Sequence, residues 1–423
     1  MTNTLDREGV LALLRRPRLA RLMAVLNGGG EETRVVGGAI RNALLRRPVI
    51  EVDCTTTALP DETTRRAQAA GLKVVPTGIE HGTVTVIVEG EPFEVTTLRE
   101  DVETDGRHAV VRFGRDFRAD AERRDFTINA LSLGADGALH DYTGGVADLA
   151  AGRVRFIGEA RRRIREDYLR TLRFFRFFAE YAAGAPDTEG MAAAIAEREG
   201  LGILSPERIR AEILKLLVTR RAAQAVRVMS DAGFVALLFG GVAEIGRFER
   251  VVAAEGEADP VRRLAALAVL VPEDADRLRE RLRLSNEEHR RLLAYGLLVP
   301  VLKTRPIPLD GAALRPLVAE HGVEAVADAL LALGGEPQPI LAPDALPALG
   351  RLRSGEEPVP VFPLKGTDLL AAGIAPGPAM GELLRQARQA WLAAGCPVDP
   401  AMAQSLLERT IDRAAGLAIP TRH

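Results

Sequence analysis

Three carboxylates and a pair of glycines mark the part of this 423-residue chain that could do chemistry. Gly37-Gly38 follows the β-branched run Val35-Val36, and Arg41 stands three residues further on. A Gly-Gly turn lets a ligand approach the backbone closely, and a helix opening there offers unpaired N–H groups to an anion. Arg41, in the first turn of such a helix, could add a charged fork to a phosphate. Glu51 and Asp53 are two residues apart, which puts both on one face of a strand. Two carboxylates so placed suit Mg²⁺, which takes a few carboxylates together with substrate phosphates. The set fits two-metal phosphoryl transfer, in which one ion activates an attacking hydroxyl and the other steadies the leaving pyrophosphate. Glu94, on a later segment of alternating character, is a candidate third carboxylate. Taken singly, each piece also describes an ordinary turn or a solvated strand edge. Their order along the chain carries the weight.

The elements needed to position these residues can be read from the pattern around them. Strands are expected over residues 34–36, 50–54, 72–75, 83–89 and 92–98, with helices over 39–46 and 60–70, the latter opened by Pro60. The turn Glu89-Gly90-Glu91 makes the strands on either side of it a hairpin. Residues 1–150 therefore read as an α+β head, a small mixed sheet with helices beside it. From residue 159 onward the pattern is helical. An uninterrupted amphipathic helix is expected over 161–181, and Ser205-Pro206 caps another. Further helices fall over 262–271, 286–298 and 380–394. Pro and Gly near 305–309 and 335–348 mark joints, and no fixed-period repeat occurs. The expected division is a head (1–150), a helical neck (151–225), and a helical body and tail (226–423).

Composition narrows the classes. Hydrophobic content of 47% and charged content of 27% are those of an ordinary globular chain. The longest apolar stretches, 264–271 and 292–302, fall short of the ~18 residues of a membrane span. The beginning of the chain lacks the apolar core and small-residue cleavage site of a secretory signal. Two cysteines, Cys54 and Cys396, cannot build a disulfide framework or a four-cysteine zinc site. A soluble, cytoplasmic protein is expected. Only four of the 56 basic residues are Lys. Residues 107–176 hold 15 Arg against ten Asp and Glu, although the whole chain carries a net charge of −2. A local Arg-rich zone in an otherwise acidic chain points to phosphate binding. There is no Gly-x-x-x-x-Gly-Lys-Ser/Thr loop, which disfavours a P-loop ATPase. His81 reads as a structural hydrogen-bonder, His140-Asp141 as part of a joint, and Cys54 as packing beside a strand.

Gly37-Gly38-x-x-Arg41, a helix, and then Glu51-Val52-Asp53 together resemble the nucleotidyltransferase core of the class II tRNA CCA-adding enzyme and bacterial poly(A) polymerase family. Further blocks follow in the family's order. Arg123-Arg124-Asp125-Phe126-Thr127-Ile128-Asn129 is similar to its second motif, and Asp141-Tyr142-Thr143-Gly144-Gly145 to its hinge. The run from Arg163 through Asp167, Arg170 and Arg173 resembles the nucleotide-selecting motif, and Ser205-Pro206-Glu207-Arg208 the neck element after it. The likeness spans roughly residues 34–220. It implies template-independent addition of CCA to the 3′ end of tRNA from CTP and ATP with Mg²⁺. The acceptor arm of the tRNA would be held by the helical half, and neither a membrane nor an obligatory protein partner is implied.

The resemblance also assigns roles that can be checked against base chemistry. Asp167 and Arg170, three apart on the expected helix, would share a face. A carboxylate can accept from the exocyclic amino group of C or A, and a guanidinium can donate to N3 of C or N1 of A. U and G present the opposite polarity at both places, and unmatched buried polar groups can reject a base by ~10⁴-fold or more. Arg173 is a candidate for the triphosphate together with Arg123 or Arg124; Gly37, Gly38, Arg41, Asp125 and Asn129 complete the nucleotide site. As an ordinary ion pair, Glu166–Arg170 would be worth only ~0.3–0.5 kcal/mol.

Two positions depart from the family, which usually has Asp at the positions of Glu51 and Asn42. Glu keeps the charge but moves it by a methylene, and ~1 Å at a reacting centre can cost ~10²-fold. Lys73 to Thr83 looks like the CCA-adding branch. Residues 99–118 resemble a flexible loop found in the A-adding enzymes, with Asp105-Gly106-Arg107 at its tip. Full CCA addition is therefore favoured over poly(A) synthesis, CC-only addition and A-only addition. The alternative from another class is an RNA-binding protein whose catalysis has been weakened at Glu51 and Asn42.

Overall fold

The computed structural model describes residues 4–104, 109–334 and 340–417. By the density of internal contacts the chain forms two compact units, Met1–Ala232 and Gly233–His423. The expected head and neck lie together in the first.

Unit 1 opens with helices α1 (Arg7–Leu14) and α2 (Pro17–Leu26), followed by strand β1 (Thr33–Val36), helix α3 (Gly38–Leu44) and strand β2 (Asp53–Thr56). Helix α4 (Pro60–Ala69) leads into β3 (Lys73–Gly78), β4 (Thr83–Val88) and β5 (Glu91–Thr97). These strands form a seven-stranded sheet with β8 (Ser132–Leu133) and β9 (Leu139–His140), in the order β3-β4-β5-β2-β1-β8-β9. Pairing is antiparallel except between β2 and β5, which run parallel. The β4–β5 hairpin turns at Glu89 and Gly90, both at positive φ, as a tight turn matching the strand twist requires.

Two expectations are corrected here. The strand expected over 50–54 begins at Asp53, so Glu51 precedes its first paired residue. The 99–118 segment, expected as a loop, contains strands β6 (Arg99–Thr104) and β7 (Ala109–Phe113) as a separate antiparallel hairpin. Backbone pairing wins there because the β-branched run Val110-Val111 favours an extended strand, which pairs with residues 99–104. Asp105-Gly106-Arg107 lies outside the described residues.

Helix α5 (Phe117–Glu122) follows the hairpin, and α6 (Gly145–Ala151) follows β9. Then come α7 (Ala160–Glu166), α8 (Leu169–Tyr181), α9 (Thr188–Ala196), α10 (Pro206–Leu217) and α11 (Ala222–Asp231). The uninterrupted helix expected over 161–181 is broken at Asp167, whose backbone is extended (φ −157°, ψ 107°). Asp competes well for a capping position, and its side chain accepts from the N–H of Leu169 at 3.1 Å to start α8. Tyr168, the next residue, packs on Gly200. A Cβ on Gly200 would stand 1.9 Å from the Tyr168 ring, so only glycine fits beneath it.

An aromatic core fastens α8 to the sheet side of the unit. Phe126, Phe174, Phe175 and Phe178 are almost wholly buried. Ring centroids lie 4.8 Å apart for Phe126–Phe156, 5.5 Å for Phe156–Phe174 and 5.2 Å for Phe126–Phe177. Each such side chain contributes roughly 2–3 kcal/mol by burial. The Phe spacing along α8 (174, 175, 177, 178) points one helical stripe inward and leaves Arg170, Arg173 and Arg176 on its flank.

Unit 2 is helical among its described residues, from Phe234–Phe239 to Pro400–Leu417. A buried ionic cluster ties several of its helices: Arg262 and Arg291 each donate through Nε to Asp328, at 2.8 and 2.6 Å. Among the described residues no helix is long and apolar enough to cross a membrane.

Candidate active site

Sheet register assembles the site. Val36, the last residue before the Gly-Gly turn, is paired with Asp53, and Asp53 is paired on its other side with Glu94. Three adjacent strands therefore bring Gly37, Asp53 and Glu94 to one end of the sheet. Along the second of these segments Glu51 and Asp53 are exposed while Val52 and Cys54 are buried. Along the third, Glu94 is exposed between buried Phe93 and Val95. The expected two-residue alternation holds, and the three carboxylates share a face. Burial raises the Asp53 carboxyl above its ordinary pKa, and the charges of Glu94 and Glu51 push it further; Arg124 pulls the other way.

The donor set is one that Mg²⁺ accepts. Every candidate ligand is a carboxylate oxygen. Among the described residues no group of three or more His, Cys, Asp or Glu is arranged to hold a metal ion by itself. A site of two carboxylates completed by substrate phosphates is the usual Mg²⁺ arrangement. Crowded like charges at Asp53 are what a cation would relieve. Glu51 and Asp53 are the residues that fit this role.

The Gly-Gly turn is strained in a way only glycine tolerates: Gly37 has φ 66° and ψ −119°, and its N–H donates to the carbonyl of Leu131 at 3.0 Å. Arg124 lies against it, 3.4 Å from the place a Gly37 Cβ would occupy. The Arg124 guanidinium donates to the carbonyl of Asn129 at 3.4 Å and to Asp120 Oδ2 at 3.1 Å. Arg123 donates through Nε to Asp120 Oδ1 at 2.9 Å. Burial would raise the Asp120 carboxyl, but Arg124 and Arg123 hold it below its ordinary value. Asp120 thus fixes both guanidinium groups, a role the sequence does not announce although it stands three and four residues before them.

Arg41 stands in the first turn of α3, as expected, but its side chain is enclosed. Its guanidinium is buried, donates to Asn129 Oδ1, and lies 4.2 Å from the centroid of the Tyr181 ring. Its Nη2 stands 3.5 Å from the place a Gly38 Cβ would occupy, so the guanidinium lies buried against the turn. Asn129 in turn donates to Asp125 Oδ1 at 3.0 Å, and Arg173 donates through Nε to Asp125 Oδ2 at 2.8 Å. Arg41, Asn129, Asp125 and Arg173 form one chain of polar contacts from the Gly-Gly turn to α8.

The base-selecting pair is also rearranged. With the helix broken at residue 167, Asp167 and Arg170 do not stand one turn apart on a single helix. Asp167 Oδ2 accepts from Arg208 Nη2 of α10 at 2.7 Å. Arg170 donates to Glu166 Oε2 at 2.6 Å and to the carbonyl of Arg163 at 3.0 Å, so the ordinary Glu166–Arg170 pair is present as well. Arg208 as the holder of Asp167 escapes sequence reasoning; a separation of 41 residues leaves no local signal.

The remaining candidates have structural surroundings. Asp141 accepts from the N–H groups of Thr143, Gly144, Gly145 and Val146, which makes the hinge block a capped joint. His140 stacks on Tyr142, with ring centroids 6.2 Å apart. Cys54 is buried, and burial pushes its thiol up to about 12. His81 ends the short 3₁₀ turn Ile79–His81, and its side chain lies outside the described residues.

A Gly-Gly turn beside aligned carboxylates, backed by Arg-rich helices, defines a nucleotidyltransferase head. The family described as "Poly A polymerase head domain" matches residues 33–155, and that described as "Probable RNA and SrmB- binding site of polymerase A" matches 186–245. The mitochondrial CCA tRNA nucleotidyltransferase 1 of Mus musculus is 36% identical over 394 residues, covering 90% of this chain and 87% of the mouse protein. The CCA-adding enzyme of Limosilactobacillus fermentum is 32% identical over 377 residues, covering 87% of this chain and 90% of its own length. The crystal structure of the Bacillus stearothermophilus CCA-adding enzyme in complex with CTP superposes with a TM-score of 0.73 at 27% identity, over 94% of this chain and 98% of that one. This chain belongs to the CCA tRNA nucleotidyltransferase family.

Proposed function

We propose that the chain completes tRNA 3′ ends by adding C, C and A from CTP and ATP without a nucleic-acid template, using Mg²⁺ held by Glu51 and Asp53. The observation that carries this reading is the register that lines Val36, Asp53 and Glu94 across three strands, placing the Gly37 turn beside the carboxylates. When bound there, Mg²⁺ supplies activation of the attacking 3′ hydroxyl and neutralisation of charge on the α-phosphate and the departing pyrophosphate.

The chain's own residues do the rest. The backbone at Gly37-Gly38 gives the triphosphate room to approach, and Arg124, beside that turn and near Asp53, supplies the nearest positive charge. Arg123 and Arg173 add to the positive wall. Asp167 accepts from the amino group of C or A and Arg170 donates to the neighbouring ring nitrogen, so U and G are rejected for want of matching partners. Asn129 and Asp125 hold the floor of the nucleotide site through their mutual hydrogen bond. Glu94 stays next to Asp53 as a third carboxylate that keeps the local field negative for a cation. Binding of the tRNA acceptor arm is assigned to the helical half, by shape and backbone contacts that weaken as salt rises. The compartment proposed is the cytoplasm, supported by two unpaired, buried cysteines; the mouse relative is mitochondrial.

The test takes purified protein, Mg²⁺ and three tRNA transcripts lacking A, CA or the whole CCA, with CTP and ATP supplied singly and together. The expected products are two C residues, one A, and then arrest. A long A ladder would mean poly(A) synthesis, and growth only on the transcript lacking the final A would mean an A-adding specialist. Binding of tRNA without any growth would mean an RNA-binding protein.

A further inference from the structure

Asn42 stands where the family usually carries an acidic residue, next to a buried arginine. Arg41 has 7% of its surface exposed, and Asn42 Oδ1 offers it only long contacts of 3.3 Å from Nε and Nη2. The short hydrogen bond of Arg41 goes to Asn129 Oδ1, a neutral amide; an ionised guanidinium held by neutral acceptors alone is costly to bury, so what surrounds it must make up the difference.

Aromatic rings do so. The Arg41 guanidinium lies 4.2 Å from the Tyr181 ring centroid and 5.1 Å from that of Phe177, within the range of cation–π attraction. These two rings stack on each other at 5.6 Å with an interplanar angle of 24°. Arg47 covers Tyr181 as well, at 4.8 Å, and is anchored by Glu180. The Tyr181 hydroxyl donates to Asn42 Oδ1 at 3.2 Å. Phe177, Glu180 and Tyr181 all belong to the last turns of α8; Arg41 and Asn42 belong to α3, the helix that leaves the Gly-Gly turn.

We propose that Tyr181 is a positioning residue that clamps α3 to the end of the nucleotide-selecting helix through the Arg41 guanidinium and the Asn42 amide, so that the Gly37-Gly38 turn holds its place relative to the residues that read the base. Tyr181 belongs neither to the Gly-Gly turn nor to the segments that carry Glu51, Asp53 and Glu94. It acts through Arg41, whose other side is held by Asn129. Asn42 suits the clamp because its carbonyl can accept from the tyrosine hydroxyl while its amide donates to the carbonyl of Pro48 at 3.3 Å, which a carboxylate could not do.

The inference rests on the nucleotidyltransferase reading above, and its test separates the two. Full-length Tyr181→Leu and Tyr181→Phe would be compared with the unchanged chain for addition of labelled C to a tRNA transcript lacking CCA. Loss of positioning by about an ångström predicts a kcat about 10- to 100-fold lower in Tyr181→Leu. KM for CTP and for tRNA should stay within about twofold, because the residues that touch them are unchanged. Tyr181→Phe keeps the ring over Arg41 and should recover most of the rate. A Tyr181→Leu protein with wild-type kcat, or one in which kcat and KM fall together without rescue by Phe, overturns the clamp. Amide hydrogen exchange over residues 38–44 gives a readout independent of activity and of whether the Leu variant folds. Losing the hydroxyl-to-Asn42 bond in Tyr181→Phe should speed exchange there about fivefold, and unchanged exchange overturns the proposal. If the unchanged chain adds no nucleotide at all, the functional reading fails and the exchange measurement alone decides the clamp.

Discussion

Arg173 directs two donors, Nε and Nη2, each at 2.8 Å, onto a single oxygen of Asp125, forty-eight residues earlier in the chain. The other Asp125 oxygen accepts from the N–H of Phe126 at 2.8 Å and from the Asn129 amide. Burial by itself would raise this carboxyl, yet the charge of Arg173 and these hydrogen bonds hold it below its ordinary value of 3.8. The pair joins the second motif to α8, so its loss should be felt both in stability and in the nucleotide site.

Asp125→Asn should destabilise the protein by about 2 kcal/mol at neutral pH, less than the ~3–5 kcal/mol of a fully buried pair, because 31% of the Arg173 side chain stays exposed. The sign of the pH dependence follows from the depressed pKa. The carboxylate's contribution is fully present above the unfolded value, near 3.8, and is lost as pH falls through the lower folded value. Urea unfolding of both proteins between pH 7 and pH 3 should show a constant gap that closes only below about pH 4. A gap that closes between pH 7 and pH 5 would mean that Asp125 does not carry it.

Removing the Asp53 charge strikes the proposed metal site directly. Asp53→Asn should lower nucleotide incorporation by ~10³-fold or more, since metal-assisted charge stabilisation is worth several kcal/mol and each 1.36 kcal/mol is tenfold. Binding of tRNA should be unchanged, measured by filter retention at fixed salt. Glu51→Asp tests the unusual longer carboxylate. Glu51 precedes the first paired residue of β2, so its backbone is free of the sheet register that fixes Asp53. No strand pairing draws that backbone toward Asp53, so the longer side chain supplies the reach, and shortening it should cost about 10- to 100-fold in kcat. A Glu51→Asp enzyme as fast as the original would show that the backbone adjusts.

The sheet and its carboxylates are legible in the sequence because their signals are local. Alternation places Glu51 and Asp53 on one face, a Gly after Glu89 announces the hairpin, and Pro60 opens its helix. What stays hidden is what depends on distance or on one residue. A periodic pattern runs straight through Asp167, and nothing in it reveals the extended backbone there, the Leu169 N–H bond to the Asp167 side chain or the packing of Tyr168 on Gly200. The local pattern points Arg41 at a phosphate, whereas its burial is decided by Tyr181, 140 positions away. The antiparallel pair β6–β7 reads as a loop because the charged sequence of β6 offers little hydrophobic alternation.

Arg208 orients Asp167, the carboxylate proposed to select the base. Asp167 is held by the Leu169 N–H on one oxygen and by Arg208 on the other, at 3.1 and 2.7 Å. The ion pair is partly solvated, with side-chain exposures of 44% and 30%, so it is worth about 1 kcal/mol. Arg208→Ala should raise KM for CTP and ATP about fivefold and narrow the preference for CTP over UTP by a similar factor. Competition between labelled CTP and UTP on a transcript lacking CCA reads both. An unchanged CTP:UTP ratio would mean that the Leu169 hydrogen bond orients Asp167 unaided.

Gly37 is the position where backbone shape, rather than side-chain chemistry, sets the site. At φ 66° and ψ −119° it occupies a region that residues with a Cβ rarely enter, and forcing one there costs about 1–3 kcal/mol. The added methyl of Gly37→Ala would meet Arg124 Nη1 and the Asn129 carbonyl at 3.4 Å, ordinary contacts, so the cost is backbone strain and not collision. The chain can relieve that strain only by rotating the turn, which moves the Gly37 N–H off the Leu131 carbonyl and shifts the neighbouring Arg124. Gly37→Ala should therefore lose about 1–3 kcal/mol in urea unfolding and, separately, about tenfold or more in incorporation of both C and A. Equal effects on the two nucleotides are expected because the turn is proposed to serve the triphosphate, which CTP and ATP share. A variant that loses A addition while keeping C addition would place Gly37 in base reading instead.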